Sequence, residues 1–422
     1  PTAPAAADIL HVPGDFPTIQ AAIDAAVDGD EVEVHPGTYN ETINFLGKAI
    51  RVYSTDGSDV TIIDGQQNGT VVTCANGEGP ETVIDGFTIT GGSGTNGGGM
   101  RNYQSSPTVI NCTITGNLLP AEYNVAKGSG MSNVSSNPTV INCVFSQNDV
   151  VGGCWSYGGG MYNLDSNPTV THCTFDGNGA FDGGCAGTGR AYGGGMFNNN
   201  SSPIVSGCNF SGNIAKGGKD GGGGWGAGMY NENGSAPTIT DCVFASNRSP
   251  WGAGMENRAS SPTLNNCTFT SNLAIGDKYS SGAGMRNRFN SAPTIINCTF
   301  RQNSATMIGG GLSNSTGGKP AVSDSIFCGN TPDNIAGDYT DNGGICLADT
   351  CDDTNGNGIP DECECPGDLD NSGDVGVKDL LVLLGAWGPC PKKGNCPADF
   401  DDSGDVGVKD LLILLGAWGP CP

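Results

Sequence analysis

The sequence predicts an all-β chain: a solenoid of short parallel strands, with a short helix at its N-terminal end and a small α-helical domain at its C-terminus. Three observations carry this expectation. A unit containing Gly-x-Gly-Met recurs through the middle of the chain. The segments between are short, β-branched and broken by Gly, Pro and Asn, whereas helical repeats would need long apolar stripes of period 3.6. The last part states one phrase twice, "GDLDNSGDVGVKDLLVLLGAWGPC" from Gly367 and "ADFDDSGDVGVKDLLILLGAWGPC" from Ala398.

The elements follow in order. In "DFPTIQAAIDAAVDGDEVEVHPGTYNE", Thr18 is a helix cap, Ile19, Ala22, Ile23 and Ala26 share one face, and Gly29 ends the helix. Such a helix would plug the open end of the coil and cover its first edge. Strands are expected at "EVEVHPG", "AIRVYS" and "VTIIDG". The repeats then begin, marked by Met100, Met131, Met161, Met196, Met229, Met255 and Met285, with Leu312 in the last copy. Each is followed by an Asn, from Asn102 to Asn314, then by a Pro. A Cys follows: Cys112, Cys143, Cys173, Cys208, Cys242, Cys267, Cys298 and Cys328. A Phe or Ile comes next, from Ile114 to Phe300, and a second Asn closes the unit, from Asn117 to Asn303.

The distance from Met to Cys hardly varies before the last copy, while the stretch from the closing Asn to the next Gly-x-Gly-Met varies widely. One part of each repeat is therefore set by packing and one corner accepts insertions, as in a solenoid. In "PTVINCTITGN", Val109, Cys112 and Ile114 are expected to face inward and stack on their counterparts. Each buried Phe or Val contributes about 1.5–3 kcal/mol. The Asn residues are expected at corners with left-handed backbone angles, their amides bonding from rung to rung. The ladder Cys are read mostly as free buried thiols, and Cys154 with Cys185, in the variable corner, as a disulfide.

These repeats resemble the right-handed parallel β-helix of the pectin lyase-like proteins over roughly residues 8–345, and the opening phrase is similar to that of pectin esterases. The polysaccharide lyases of this fold resemble one another in placing a calcium-binding carboxylate cluster and a basic residue on an outer face. What the resemblance implies here falls on two rows at equivalent repeat positions: Glu232, Arg258 and Arg288, and beside them Glu256 and Arg286. Stacked rungs would set the members of a row about 4.8 Å apart, in a groove suited to a uronic acid polymer. The competing reading is a neutralised surface ladder, each pair contributing about 0.2–1 kcal/mol. It is favoured over catalysis because the rungs are so alike. The chain has three His, His11, His35 and His172, and His172 reads as a corner residue. No pectin esterase motif follows the opening phrase, and no paired-Asp signature of a polygalacturonase occurs.

The duplicated tail has metal-ligand spacing. Loop positions 1, 3, 5, 7 and 12 fall on Asp368, Asp370, Ser372, Asp374 and Asp379, and again on Asp399, Asp401, Ser403, Asp405 and Asp410. Gly376 and Gly407 take position 9, and Gly373 and Gly404 the sharp turn. This is EF-hand spacing, an oxygen cage for Ca²⁺. With Asp at position 12 and a single following helix, each copy resembles a dockerin type I repeat. "DDTNGNGIPDECE" supplies a third candidate loop through Asp353, Asn355, Asn357, Asp361 and Glu364, similar to a thrombospondin type 3 calcium repeat. Cys365 with Cys390 and Cys396 with Cys421 would pair within copies, or the four between copies, and Cys351 with Cys363 would close the third loop. The helices are apolar almost all round, so Leu380, Leu383, Leu384, Trp387, Leu411, Leu414, Leu415 and Trp418 are expected to meet a protein partner. The dockerin resemblance implies a cohesin-like receptor read by Val377, Lys378, Val408 and Lys409. These depart from the usual Ser and Thr, which makes a non-cohesin receptor, or the β-helix of a neighbouring copy of the chain, the competing partner.

The expected division is residues 1–78 for the N-terminal extension, cap and first rungs, 79–345 for the repetitive coil, 346–365 for an acidic loop and 366–422 for the tandem calcium domain. Lys and Arg number 18 against 43 Asp and Glu, a formal charge of −25, which repels nucleic acid and favours cations. The apolar runs are too short to span a bilayer. Eighteen Cys point to an oxidising compartment, and the start at Pro1 is read as that of a mature secreted chain. The reading is a secreted, extracellular or cell-surface scaffold whose Ca²⁺-loaded tail attaches it to a protein, with head-to-tail self-assembly as one form. A polysaccharide lyase, hydrolase or carbohydrate-binding coil is the alternative.

Overall fold

The computed structural model describes residues 7–120, 125–182, 184–185, 188–218, 223–276, 280–354, 356–365, 367–370, 372, 374–391, 396–401 and 403–420. Three long parallel sheets of 13, 12 and 11 strands run its length. The 13-stranded sheet begins at Ile9–Val12 and ends at Thr340–Asp341. Repeats lie in register: Met100 pairs Met131, Val109 pairs Val140, and Ile114 pairs Phe145. The corner expected to accept insertions builds further sheets of seven and four strands where its segments are long enough, as at Asp149–Gly152 and Trp155–Tyr157.

The interior is the predicted stack. Phe145, Phe175, Phe210, Phe244, Phe269, Phe300 and Phe327 are fully buried, and their rings lie parallel with centroids 4.6–4.7 Å apart. Two columns of buried Asn run beside them. In one, Asn102 Nδ2 donates to Asn133 Oδ1 at 2.8 Å, and the pattern continues to Asn314. In the other, each amide from Asn117 to Asn303 donates to the next, as Asn213 Nδ2 to Asn247 Oδ1 at 2.9 Å. Burying amides is costly unless they are paired, and the columns pair them.

These Asn are not the left-handed residues that sequence reasoning expected. Positive φ falls instead on the residue before each ladder Cys from Cys112 to Cys298, as at Asn111, Asn142, His172, Asp241, Asn266 and Asn297, while Cys328 takes the register place of Arg301 and Ser325 the ladder position. The turn lies outside, where side chains reach solvent; the ladder Asn are buried, those from Asn102 to Asn314 within strands and those from Asn117 to Asn303 between them. His172 is thus a corner residue, with φ of 53°.

The N-terminal end of the coil is closed. The helix Ile19–Ala25 buries Ile19, Ala22 and Ile23, and Thr18 Oγ1 accepts from the Ala21 N–H at 3.1 Å. The Glu41 carboxylate accepts from the N–H groups of Ile19 and Gln20, both at 2.9 Å. At the other end Cys346–Ala348 adds the last strand to the 12-stranded sheet, and a short 3₁₀ turn at Asp361–Cys363 packs on it.

Cysteine pairing departs from expectation at Cys328 and at the third loop. Cys154–Cys185 forms as expected, and Cys112, Cys143, Cys173, Cys208, Cys242, Cys267 and Cys298 are free and buried, with Cys74 added. Burial pushes the Cys74 and Cys143 thiols up, keeping them neutral. Cys328, however, is bonded to Cys351, and Cys346 to Cys363, so the expected Cys351–Cys363 bond does not form. The third loop is stapled to the last rung rather than closed on itself, because the coil brings Cys328 and Cys346 to neighbouring strands. In the tail Cys390 bonds Cys396 across the junction between copies; Cys365 is also disulfide-bonded, and Cys421 lies outside the described residues. Four disulfides between described residues fit an oxidising compartment. Among the described residues no helix is long and apolar enough to cross a membrane.

Asn247 tests the amide column. Its side chain accepts from the Asn213 N–H and amide and donates to the Phe210 carbonyl and Asn272. Each buried group left unpaired costs about 1–3 kcal/mol. Asn247→Ala is expected to lower the unfolding free energy by several kcal/mol in a denaturant titration, and a loss under about 1 kcal/mol would contradict the column's structural role.

Candidate functional site

Two regions gather chemistry. The first is the outer face of the 11-stranded sheet, beside the insertion corner. Parallel pairing aligns Glu232 with Arg258 and Arg288, and Glu256 with Arg286, the two rows sequence reasoning placed there. Two ion pairs stay within a row, Glu232 with Arg258 and Glu256 with Arg286, and one crosses between rows, Glu256 with Arg288. Arg258 Nη1 lies 3.4 Å from Glu232 Oε2, while Glu256 Oε1 is 2.5 Å from Arg288 Nε and 3.8 Å from Arg286 Nη1. Diagonal neighbours are within reach of long side chains. Glu256 is fully buried, which a solvent-facing ladder would not show. Its Oε2 and the Nε of Arg286 are buried without a hydrogen bond. Burial pushes the Glu232 carboxyl up, against the opposing pull of Arg258. Arg258 and Arg288 also flank the exposed Phe289 ring, at 5.2 and 5.1 Å.

N-terminal to these pairs the same face turns aromatic, a feature sequence reasoning missed. Tyr162, Phe197 and Tyr230 are buried and stacked at 5.3 and 5.5 Å. Tyr157, Tyr192, Trp225 and Trp251 form a second, half-buried tier with centroids 4.8–5.1 Å apart. The tiers meet edge to face, as Tyr157 with Phe197 at 4.9 Å, an arrangement favoured by the ring quadrupole. The signal was present: an aromatic stands four residues before Met161, Met196, Met229 and Met255, and another directly after the first three of these.

The second region is the tail. Asp368, Asp370 and Asp379 bring carboxylate oxygens within 4.8 Å of one another, as do Asp399, Asp401 and Asp410, and Asp353, Asp361 and Glu364. Asp379 is buried; its Oδ2 accepts from the Gly376 N–H at 2.7 Å and its Oδ1 from Leu369 and Asp370. The Gly376 bond above all, against burial, holds this carboxyl below the usual carboxylate range. Asp410 is bound in the same way by Gly407, Phe400 and Asp401. Ser372 Oγ donates to the Asp374 carbonyl at 3.2 Å, and Ser403 Oγ to that of Asp405 at 3.1 Å. In the third loop Asn357 Nδ2 donates to Glu364 Oε1 at 3.0 Å, and Asn355 lies outside the described residues. An all-oxygen donor set with convergent carboxylates fits a hard divalent cation such as Ca²⁺.

The two copies are joined reciprocally. Asp374–Val375 pairs antiparallel with Gly419–Pro420, and Gly388–Pro389 with Asp405–Val406. Val375, Leu383, Ala398, Val406 and Leu414 form the small core between them. This corrects the expected partner surface. Leu383 and Leu414 face inward, and Leu380 and Leu411 are half-buried against that core. Leu384, Trp387, Leu415 and Trp418 are exposed as expected, and Val377, Leu381, Val382, Val408, Leu412 and Ile413 join them. Lys378 and Lys409 turn back to Asp370 and Asp401, at 3.6 and 3.2 Å.

With this geometry the chain belongs to the right-handed β-helix family: the family described as "Right handed beta helix region" matches residues 37–191 and 156–290. Among solved structures it is similar to a pectin methylesterase from carrot, 12% identical, covering 84% of this chain and 90% of that one at a TM-score of 0.31. It is also similar to the pectate lyase Pel9A, 14% identical, covering 85% and 83% at 0.38. No curated protein matches the sequence.

The buried ion pairs give a stability test. Removing Glu256 strands two arginines whose side chains are 17% exposed, so Glu256→Ala is expected to cost about 3–5 kcal/mol. Arg258→Ala, at a side chain 43% exposed, is expected to cost no more than about 1 kcal/mol. Unfolding midpoints of the two variants compared with the native chain check both.

Proposed function

We propose that this protein is a secreted β-helix scaffold whose tail, folded around Ca²⁺, attaches it to a protein partner. The observation that carries this reading is the tail's surface. A module with a core of five buried side chains leaves Val377, Leu381, Leu384, Trp387 and their counterparts Val408, Leu412, Leu415 and Trp418 open to solvent, between 46% and 65% exposed. Apolar surface on that scale marks a docking face. Asp368, Asp370 and Asp379 would hold one Ca²⁺ and Asp399, Asp401 and Asp410 another, with Ser372, Asp374, Ser403 and Asp405 completing the cages. Asp353, Asp361 and Glu364 are a third place. Bound Ca²⁺ offsets the mutual repulsion of these carboxylates. It thereby holds each loop in the shape that orients its helix.

The partner this reading favours is a second copy, in head-to-tail assembly. Sedimentation velocity of the full chain is expected to show association in calcium that EGTA reverses and that Leu381→Asp with Leu412→Asp abolishes. A chain that stays monomeric in calcium at every concentration would remove the second copy as partner.

One observation favours a second reading, a carbohydrate-binding coil. The half-buried tier from Tyr157 to Trp251 runs along the coil axis and ends at Arg286, whose guanidinium lies 6.0 Å from the Trp251 ring. Flat rings in a row beside paired charges suit a chain of acidic sugars. In gels containing polygalacturonate or alginate, migration is expected to be retarded, and Trp251→Ala to relieve it. Turnover would show as absorbance of unsaturated product lost in Arg288→Ala; unretarded migration with no product would dismiss this reading.

A further inference from the structure

Two of the chain's three histidines meet at one carboxylate, on residues that neither region above contains. His11 and Glu33 are register partners on the parallel strands Ile9–Val12 and Glu31–Val34. His35 stands two residues beyond Glu33 and so points to the same face. His11 Nδ1 lies 3.0 Å from Glu33 Oε1, and His35 Nε2 lies 3.6 Å from the same oxygen. All three atoms fall within 4.8 Å of one another.

We propose that His11, Glu33 and His35 form a binding site for a divalent transition metal of the Zn²⁺ class, on the outer face of the first rungs. The donor chemistry is of that class, because imidazole suits Zn²⁺ and its neighbours whereas Ca²⁺ takes oxygen. The spacing agrees as well. Bonds of about 2.0–2.1 Å in a tetrahedral shell set neighbouring donors about 3.3 Å apart, between the two distances here. Three protein ligands leave a fourth position for water or a substrate.

The surroundings are built in the way that supports a ligand set. Tyr53, the register partner of Glu33 on the next strand, donates its hydroxyl to Glu33 Oε2 at 2.7 Å. That bond orients the carboxylate and leaves Oε1 facing the imidazoles, the role an outer partner plays at metal sites. The nearby cation is committed elsewhere: Arg51 lies over the Tyr53 ring at 4.2 Å and is paired with Asp85 at 2.9 Å and Glu31 at 3.5 Å. The side chains of His11, His35 and Glu33 are 43%, 50% and 22% exposed, so a metal can enter from solvent without rearrangement of the coil.

Calorimetric titration of the full chain with ZnCl₂, in excess calcium to saturate the tail, tests the site. One equivalent is expected to bind. His11→Ala with His35→Ala is expected to weaken that binding by more than about 100-fold, and Tyr53→Phe by about 10–100-fold, the usual range for an outer partner. Glu33→Gln, nearly isosteric, asks the same question if the double variant does not fold, with circular dichroism reporting the fold of each. No zinc heat in the native chain, or heat unchanged in a folded double variant or in Glu33→Gln, would overturn the proposal.

Discussion

The structure depends on one constraint: successive turns of the chain lie parallel and in register, about 4.8 Å apart, each turn exchanging N–H to carbonyl hydrogen bonds with the turn before and the turn after. Every repeated side chain becomes a column. Columns of Phe and Val remove apolar surface from water, and aromatic rings at that spacing stack face to face. Columns of Asn are tolerated because an amide both donates and accepts, so each satisfies the one before it. A carboxylate or a guanidinium group has no such self-complementarity, which is why the buried polar columns hold amides and the charged rows set a Glu beside an Arg.

The same constraint explains where the chain differs from itself. Three sides of each turn are held by packing, so variation is confined to one corner. There the insertions grow strands of their own and carry an aromatic tier out to the surface. Glu256 is the exception on the neighbouring face. It is buried between Arg286 and Arg288, and its rung is the place where the aromatic column gives way to charge. The first rungs carry a different exception, His11, Glu33 and His35, at the end of the coil where no earlier copy dictates the column.

The tail uses repetition in a second way. The coil repeats by translation, each copy lying on the last. The two tail copies are joined by exchange, the start of each pairing with the end of the other. Exchange closes after two copies, so growth stops and a small core remains. That core is too small for two helices that are apolar almost all round. The surplus stays outside, doubled by the symmetry of the join.

The period, the inward set of Val, Cys and Phe and the capping helix were legible because a solenoid writes its packing directly as spacing. The convergence of the acidic loops was legible because carboxylates at EF-hand intervals meet when the loop turns. Spacing along a chain cannot say which turn abuts which, so Cys351 finding Cys328 was not readable, nor was the reach of Glu256 across to Arg288 in the neighbouring row. The aromatic tier was written in the sequence but scattered over turns whose loops differ in length, and only the coil aligns it. The sequence by itself determined the repeat and the chemistry each copy carries; the tertiary structure decided which side chains meet, because contact between turns depends on register and on insertions that no single repeat contains.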